Sequence, residues 1–365
     1  PLDGGGIGPV RRRHDAPAAL EQSRKAGFRS AILRARDRMR GNHDASGQSA
    51  GQASEDLALA RPNVADDAFG RQVGGDLRRD RLHRPHRHAQ DHQIGIDPDK
   101  VGLLVNTSVS RDFLEPSVAS MVSGTLGLSD HCQNFDVANA CLAFLNGMDI
   151  AGRMIERGEI DYALIVDGEN TNMVYEKTIE RLNREGITEA EFRSEFASLT
   201  LGSGAAAMVL TRRELAPDAP LYKGGVTRAA TEWNNLCRGN LDRMVTDTRM
   251  LLIEGIKLAQ KTFDAAKIAL GWAVEELDQF VIHQISRAHT EAFTKAFGID
   301  KTKVLTIFAE HGNIGPASVP IVLSKLRDLG KLKKGTRVAL LGIGSGLNCS
   351  MAEVVWNEPA KKPGA

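Results

Sequence analysis

The sequence predicts an α/β protein in which strands and helices alternate from about residue 94 onward. Apolar runs such as 101–106 have the length of buried parallel strands, and apolar side chains at helical spacing follow them. In each half of this region a strand leads to a reactive side chain beside a helix: 135–140 leads to Cys141, and 279–282 leads to His283. We therefore expect a duplicated α/β unit whose mostly parallel sheet is covered by helices on both sides.

The first half, residues 94–220, is expected to carry the nucleophile. The predicted strands are 101–106, 135–140, 161–166 and 205–210. The predicted helices are 117–126, 142–158 and a helical insertion within 170–198. In that insertion Thr188 and Glu191 have the spacing of a capping box, which marks a helix start.

The second half, residues 221–356, follows the same scheme. The predicted extended segments are 221–232, 279–282, 304–308, 336–341 and 349–356. The predicted helices are 245–266, a helix that ends near Phe297, and 318–329. The glycine-rich loop 342–348 joins the last two strands, and 357–365 is expected to be a disordered tail.

Residues 1–93 do not have the pattern of a folded domain. Residues 1–95 contain 16 Arg and one Lys against 12 acidic residues, a net charge of +5, whereas the remainder carries −4. Six of the ten histidines lie in this segment, yet no defined element holds them together as metal ligands. The excess of Arg, His, Asp, Gly and Ala is typical of GC-rich coding DNA translated in a wrong frame. We interpret the segment as a frameshift product or a mispredicted start, with a disordered basic arm as the alternative.

Composition excludes several classes of protein. The four cysteines form no CxxC pair, which argues against a zinc site and a disulfide framework and favours a reducing, cytoplasmic setting. No apolar run approaches the ~20 residues that a membrane-spanning helix needs. We expect no metal, no nucleic acid and no membrane span.

Cys141 stands between an apolar, strand-like run and a helical pattern. A thiol at a helix N-terminus meets the positive end of the helix dipole, which favours the nucleophilic thiolate. The alternative is a small buried hydrophobic residue, the role of most free cysteines. The position alone leaves both readings open.

Two further polar side chains follow predicted strands, and they favour the interpretation of Cys141 as a nucleophile. His283 ends the strand 279–282, and Asn313 lies in a His-Gly-Asn turn after the segment 304–308. In open α/β sheets reactive groups collect beyond the carboxyl ends of strands. Cysteine, histidine and asparagine could also form a papain-like hydrolase site, but the α/β repeat and the missing local motif argue against it.

The order Cys141, His283, Asn313, with the final loop Gly-Ile-Gly-Ser-Gly-Leu-Asn, resembles the thiolase-fold condensing enzymes of the 3-oxoacyl-ACP synthase III group. The segments 106–116 and 136–144 are similar to the OleA-type acyl-CoA condensing enzymes of bacterial long-chain olefin biosynthesis. The resemblance covers roughly the last 265 residues. It implies a thiolase-like fold of two βαβαβ-type pseudo-repeats in a five-layer αβαβα arrangement.

The resemblance also assigns roles. It implies that Cys141 becomes acylated and that His283 and Asn313 donate hydrogen bonds to the thioester oxygen. The backbone amides of Cys141 and Ser345 would form a second oxyanion hole. The loop glycines Gly344 and Gly346 would let the substrate approach the backbone closely. Among these, Asn313 could instead be a turn residue beside Gly312.

Glu115 distinguishes between reactions. Joining two fatty acyl-CoAs requires removal of an α-proton and therefore a base. The resemblance implies that Glu115 is this base and that it serves the partner subunit of a homodimer; its alternative is a solvated carboxylate at a helix start.

The expected function is non-decarboxylative Claisen condensation of two fatty acyl-CoAs, with coenzyme A thioesters as substrates and no cofactor. The product would be a 2-alkyl-3-oxoalkanoate that downstream olefin-pathway enzymes consume. One alternative is a decarboxylating 3-oxoacyl-ACP synthase III. The alternative of another class is a non-enzymatic product, inactivated by its aberrant N-terminus.

Overall fold

The computed structural model describes residues 96–111, 113–240 and 242–357. The predictions for the basic segment 1–93 and for 358–365 of the tail lie outside these residues.

Ten strands form two four-stranded sheets and a small hairpin within the described residues. Their bounds are β1 Val101–Asn106, β2 Gln133–Asp136, β3 Tyr162–Glu169, β4 Gly204–Thr211, β5 Leu221–Ala229, β6 Cys237–Gly239, β7 Met244–Thr246, β8 Gln279–Ile282, β9 Arg337–Gly344 and β10 Asn348–Val355. The first sheet has the order β2-β1-β3-β4, and only β4 is antiparallel to its neighbour. The second has the order β5-β10-β9-β8, with only β8 and β9 parallel, so the prediction of a mostly parallel sheet is wrong for this half.

The α-helices begin and end close to the predicted bounds, except α7, which was not predicted. They are α1 Val118–Leu126, α2 Ala143–Glu156, α3 Asn172–Leu182, α4 Glu189–Glu195, α5 Thr248–Leu270, α6 Arg287–Phe297, α7 Phe308–His311 and α8 Ser318–Asp328. The capping box at the start of α4 is confirmed: Thr188 Oγ1 accepts from Glu191 N at 3.2 Å, and Glu191 Oε2 accepts from Thr188 N at 2.9 Å. None of the described helices combines the length and apolar character needed to cross a membrane.

Five layers follow from three apolar clusters. The central cluster packs α2 and α8 between the inner faces of the two sheets, with Phe144 and Val322 fully buried. A second cluster covers the outer face of the second sheet with α5 and α6, and a third joins α1 to the outer face of the first sheet. Alternation along β1 explains this division, because Leu103 and Val105 face the central layer and Leu104 the outer one. The predicted αβαβα arrangement is confirmed.

The predicted strand 304–308 is wrong, and Gln284 explains why. Its fully buried side chain donates from Nε2 to Leu305 O at 2.8 Å. Its Oε1 accepts from the backbone N–H groups of Ile307 (2.8 Å) and Phe308 (3.0 Å). One side chain therefore satisfies the backbone groups that a neighbouring strand would otherwise pair. The apolar run becomes an irregular segment leading into α7.

Three other boundaries differ from the predictions. Strand β2 ends at Asp136 instead of reaching residue 140, because the Asp136 side chain turns to bind the start of α1. Helix α5 starts at Thr248, after Asp247 caps it and residues 244–246 form a strand. The expected glycine loop 342–348 is largely a hairpin, since Gly344 pairs with Asn348 and only 345–347 turn.

We predict that Gln284→Ala lowers the free energy of unfolding by about 3 kcal/mol, because it leaves one buried and two partly buried backbone groups without partners. Chemical denaturation measures this change. The matched control Gln260→Ala, at an exposed position of α5, should change it by less than about 0.5 kcal/mol. Equal effects of the two substitutions would contradict the role given to Gln284.

Candidate active site

Cys141 lies in a tight turn between β2 and α2. The turn is a 3-10 segment, Ala140–Leu142, and α2 follows directly at Ala143. Ala140 has φ of 45°, in the left-handed region that residues with a side chain rarely adopt. This strained conformation directly precedes the cysteine, as is common at functional sites. The predicted placement of Cys141 at the start of a helix is confirmed.

The hairpin of β9 and β10 packs so closely against this turn that its glycine positions leave little space for a side chain. A Cβ at Gly342 would stand 2.6 Å from Leu142 Cδ2 and 2.8 Å from Leu145 Cδ1. A Cβ at Gly344 would stand 3.4 Å from the backbone N of Cys141. Gly346 has φ of 132°, which a side chain would strain. The glycines thus bring the backbone of the Ser345 turn up to the nucleophile.

A ladder of three asparagines ties the cysteine turn to its surroundings. Asn139 Nδ2 donates to Asn146 Oδ1 on α2 at 2.7 Å. Asn348 Nδ2, at the start of β10, donates to Asn139 Oδ1 at 3.2 Å. Sequence reasoning missed this ladder; the only signal was an asparagine on each of three segments expected to meet.

The thiol of Cys141 is neutral at rest, contrary to the expectation of a helix-stabilised thiolate. Burial raises the pKa of Cys141 to about 12, and the neighbouring Cys237, Glu169 and Asp167 raise it further. Desolvation and nearby acidic groups therefore outweigh the helix dipole. Cys237 is close enough to act on the nucleophile electrostatically. All four thiols are free.

His283 is fully buried at the end of β8, where its backbone N donates to Leu341 O at 2.8 Å. Burial lowers the pKa of His283 to about 3, with a smaller contribution from His289. Neither ring nitrogen has a hydrogen-bond partner among the described residues. A neutral imidazole has one N–H to donate and one nitrogen to accept, and no described residue uses either of them here.

Asn313 lies between α7 and the turn Gly315–Ala317, which packs against the cysteine turn. Its backbone is held on both sides: Asn313 N donates to Thr200 O at 2.8 Å, and Gly202 N donates to Asn313 O at 2.7 Å. Its Oδ1 accepts from Gly315 N at 3.1 Å. This orientation occupies the carbonyl end of the side chain and leaves the Nδ2 donor for a ligand.

Glu115 lies apart from these groups, on an exposed segment between β1 and α1. Leu114 beside it is 93% exposed and Phe113 is 52% exposed. The structure therefore brings the Cys141 turn close to the Gly344–Ser345 turn and places Glu115 on the surface.

Two buried carboxyl groups, Asp167 and Glu169, lie near Cys141 at the end of β3. Burial raises the pKa of both, most strongly that of Asp167, and Glu169 adds to the rise at Asp167. Thr107 Oγ1 donates to Val166 O (3.1 Å) and lies 2.6 Å from Asp167 Oδ2. A hydroxyl has one proton to donate, so a protonated Asp167 satisfies both contacts.

The described residues contain no group of three or more His, Cys, Asp or Glu side chains placed to hold a metal ion. The groups described above can instead perform thioester chemistry. A cysteine, side-chain donors without protein partners and a backbone turn that closely approaches the cysteine are parts that acyl transfer uses.

Comparison with known proteins agrees with this chemistry. Residues 135–221 match the 3-oxoacyl-[acyl-carrier-protein] synthase III family, and 268–356 match its C-terminal region. An acyl-CoA:acyl-CoA alkyltransferase of Xanthomonas campestris pv. campestris is 78% identical over 266 residues, which are 73% of this chain and 78% of that protein. A Shewanella oneidensis protein with the same name is 34% identical over 283 residues, 74% of this chain and 80% of its own.

Solved structures give the same result. A cysteine-to-serine variant of Xanthomonas campestris OleA with bound lauric acid and lauroyl-CoA has a TM-score of 0.71 and 77% identity, covering 72% of this chain and 78% of that chain. Variants of the same protein with a glutamate or a histidine replaced by alanine match with the same TM-score, identity and coverage.

Fold and site together define a thiolase-like condensing enzyme of the 3-oxoacyl-ACP synthase III class. Within this class, the chain belongs to the family of OleA-type acyl-CoA:acyl-CoA alkyltransferases.

We predict that His289 makes the protein less stable in acid. Burial lowers its pKa from 6.5 to about 4, so the unfolded state binds more protons between these values and stability falls as pH drops through this window. His289→Gln should make the unfolding free energy less dependent on pH there, by up to about 1.4 kcal/mol per pH unit.

Denaturant titrations at several pH values between 4 and 7 measure the effect. The control is His131→Gln, whose side chain is 89% exposed. Parallel pH profiles of wild type and His289→Gln would contradict the prediction.

Proposed function

We propose that this chain condenses two fatty acyl-CoAs without decarboxylation and releases a 2-alkyl-3-oxoalkanoate. The observation that carries the proposal is the combination of Cys141 in a strained turn with a buried, neutral and unpartnered His283 within the described part of the chain. The chemistry of the relatives supports it, because one of them holds lauroyl-CoA. The glutamate, cysteine and histidine replaced in those relatives also have the same sequence spacing as Glu115, Cys141 and His283 here.

In the first half-reaction the Cys141 sulfur attacks the thioester carbonyl of one acyl-CoA. The new C–S bond replaces the bond to coenzyme A, whose thiol leaves with a proton. Since the resting thiol is neutral, its proton must leave the sulfur during the attack, and it departs on the coenzyme A thiol. The amides of Cys141 and Ser345 stabilise the developing oxyanion.

In the second half-reaction Glu115 removes an α-proton from the second acyl-CoA. Its thioester oxygen becomes an enolate, to which the His283 ring N–H and Asn313 Nδ2 donate hydrogen bonds. The α-carbon then attacks the acyl group on Cys141, so a C–C bond forms and the C–S bond breaks. Water finally hydrolyses the remaining coenzyme A thioester and gives the β-keto acid. Downstream enzymes of olefin formation would take this acid as substrate.

We place Glu115 in the active site of a partner subunit. Glu115 is exposed in the single chain, and the apolar side chains Val109, Phe113 and Leu114 on the same segment are exposed as well. Exposed apolar side chains grouped in this way are typical of a contact surface. A homodimer in which each segment enters the neighbouring site would bury them and supply the base. The free thiols suit a reducing compartment, the cytoplasm.

We predict that Glu115→Gln keeps acylation and loses condensation. Intact-protein mass spectrometry should still show the acyl adduct on Cys141, while formation of the β-keto acid falls by about 100-fold or more, because no base removes the α-proton. Cys141→Ala should abolish both. The control Glu185→Gln, an exposed carboxylate elsewhere, should leave both unchanged.

If condensation survives Glu115→Gln undiminished, Glu115 is not the base. A decarboxylating synthase would then be favoured, and malonyl thioesters would serve as its substrates. If the wild type forms no acyl adduct, the alternative that this chain is not an active enzyme would be favoured.

The partner arrangement has its own test. Mixing Cys141→Ala with Glu115→Gln subunits should restore about a quarter of wild-type condensation, because half of the dimers are mixed and one of their two sites has both groups. No recovery after verified subunit exchange would show that Glu115 acts within its own chain.

A further inference from the structure

The carboxylate of Asp136 binds the segment that carries Glu115 at several points. Oδ1 accepts from Asn106 Nδ2 at 3.2 Å and from Ala119 N at 2.9 Å. Oδ2 accepts from Val118 N at 3.1 Å and from Arg111 Nη1 at 3.3 Å, the latter an ion pair. The Asp136 side chain is only 9% exposed, so these four contacts are little screened by water.

The four groups that donate to Asp136 lie at the start, in the middle and at the end of the connection between β1 and α1. Asn106 ends β1, Arg111 lies within the segment 107–117, and Val118 and Ala119 open α1. A single carboxylate thereby ties the two ends of the segment together and fixes one point between them. Without such ties an exposed segment of this length has many conformations, and ordering it is opposed by the loss of conformational entropy.

Glu169 holds only the first part of the same segment. Its carboxylate accepts from the backbone N–H groups of Val109 (2.6 Å) and Ser110 (3.1 Å). Neither contact lies on the α1 side, where Glu115 is followed within a few residues by Val118. The position of Glu115 therefore depends on Asp136 more than on Glu169.

The cysteine turn has anchors of its own. Asp136 is five residues before Cys141, but between them Asn139 is held by Asn146 and Asn348. Leu142 is held by close packing on Gly342. Loss of the Asp136 contacts would thus release the Glu115 segment while these contacts keep the nucleophile in place.

We propose that Asp136 is a positioning residue for carbon–carbon bond formation: it holds the Glu115 segment in the geometry that α-proton removal needs and is dispensable for acylation of Cys141. The inference rests on the proposed function and deepens it. It assigns to Asp136 a selective effect on one of the two half-reactions, which a general contribution to folding does not produce.

Asp136→Asn is the sharpest test. The substitution keeps size and shape, but it removes the charge that pairs with Arg111 and places an N–H donor among N–H donors. The control Asp161→Asn removes an exposed carboxylate that pairs with Arg212 at 2.6 Å at the far end of the same sheet. The rate of acyl adduct formation from lauroyl-CoA and the rate of β-keto acid formation are measured for each protein, with α-deuterium exchange of the second substrate as a third readout.

For Asp136→Asn we expect acylation within about twofold of wild type, with condensation and α-deuterium exchange reduced about 100-fold, the effect of a misplacement of about 1 Å. Asp161→Asn should match wild type in all three readouts. If Asp136→Asn does not fold, Arg111→Gln tests the same inference, because it removes only the ion pair with Asp136. It should lower condensation several-fold and leave acylation unchanged.

Equal losses of acylation and condensation in a folded variant would overturn the inference and leave the proposed function standing. So would unchanged condensation. A wild-type protein that forms no acyl adduct would overturn the proposed function and this inference with it.

Discussion

The packing of α2 between the two sheets is the constraint on which the rest of the molecule depends. Leu142 and Leu145 press against Gly342 so closely that a single added Cβ would overlap with both. The same contact sets the distance between the cysteine turn at the start of α2 and the β9–β10 hairpin. Fold and active site are therefore built from one set of contacts, and neither can shift without the other.

This packing also determines the electrostatics of the site. The layers that bury α2 exclude water from the Cys141 thiol, from the His283 imidazole and from the carboxyl pair Asp167 and Glu169. Each group is pushed towards its neutral form because charge is poorly solvated there. The resting site therefore disfavours charge on the groups that line it. Preorganised donors are most effective under these conditions, since no solvent competes with them.

Much of the fold could be predicted from local pattern, and the exceptions have a common cause. The apolar run of β1 and the helical spacing of α2 are properties of contiguous residues, so the sequence displays them directly. The run 304–308 has an equally strand-like pattern, but the Gln284 side chain takes its backbone hydrogen bonds from about twenty positions away. Strand β2 ends early for a similar reason, since the partners of Asp136 lie on other elements. Side-chain-to-backbone contacts between distant segments are invisible in a one-dimensional pattern.

The site divides in the same way. The locations of Cys141 and His283 follow from strand ends and could be predicted, whereas the neutral state of the thiol could not. A helix N-terminus is visible in sequence and favours a thiolate; desolvation is a property of the assembled layers and outweighs it. The buried carboxyl pair was missed because two acidic residues at a strand end look like a solvated loop.

The exposure of Glu115 has an evolutionary consequence. The group proposed to select deprotonation over decarboxylation stands outside the core of its own subunit, on the segment between β1 and α1. The thiol, imidazole and amide at the centre of the site supply what every carbon–carbon bond formation through an acyl-enzyme needs. A lineage can therefore change the way its carbanion arises by exchanging a surface segment while it inherits the acylation machinery intact.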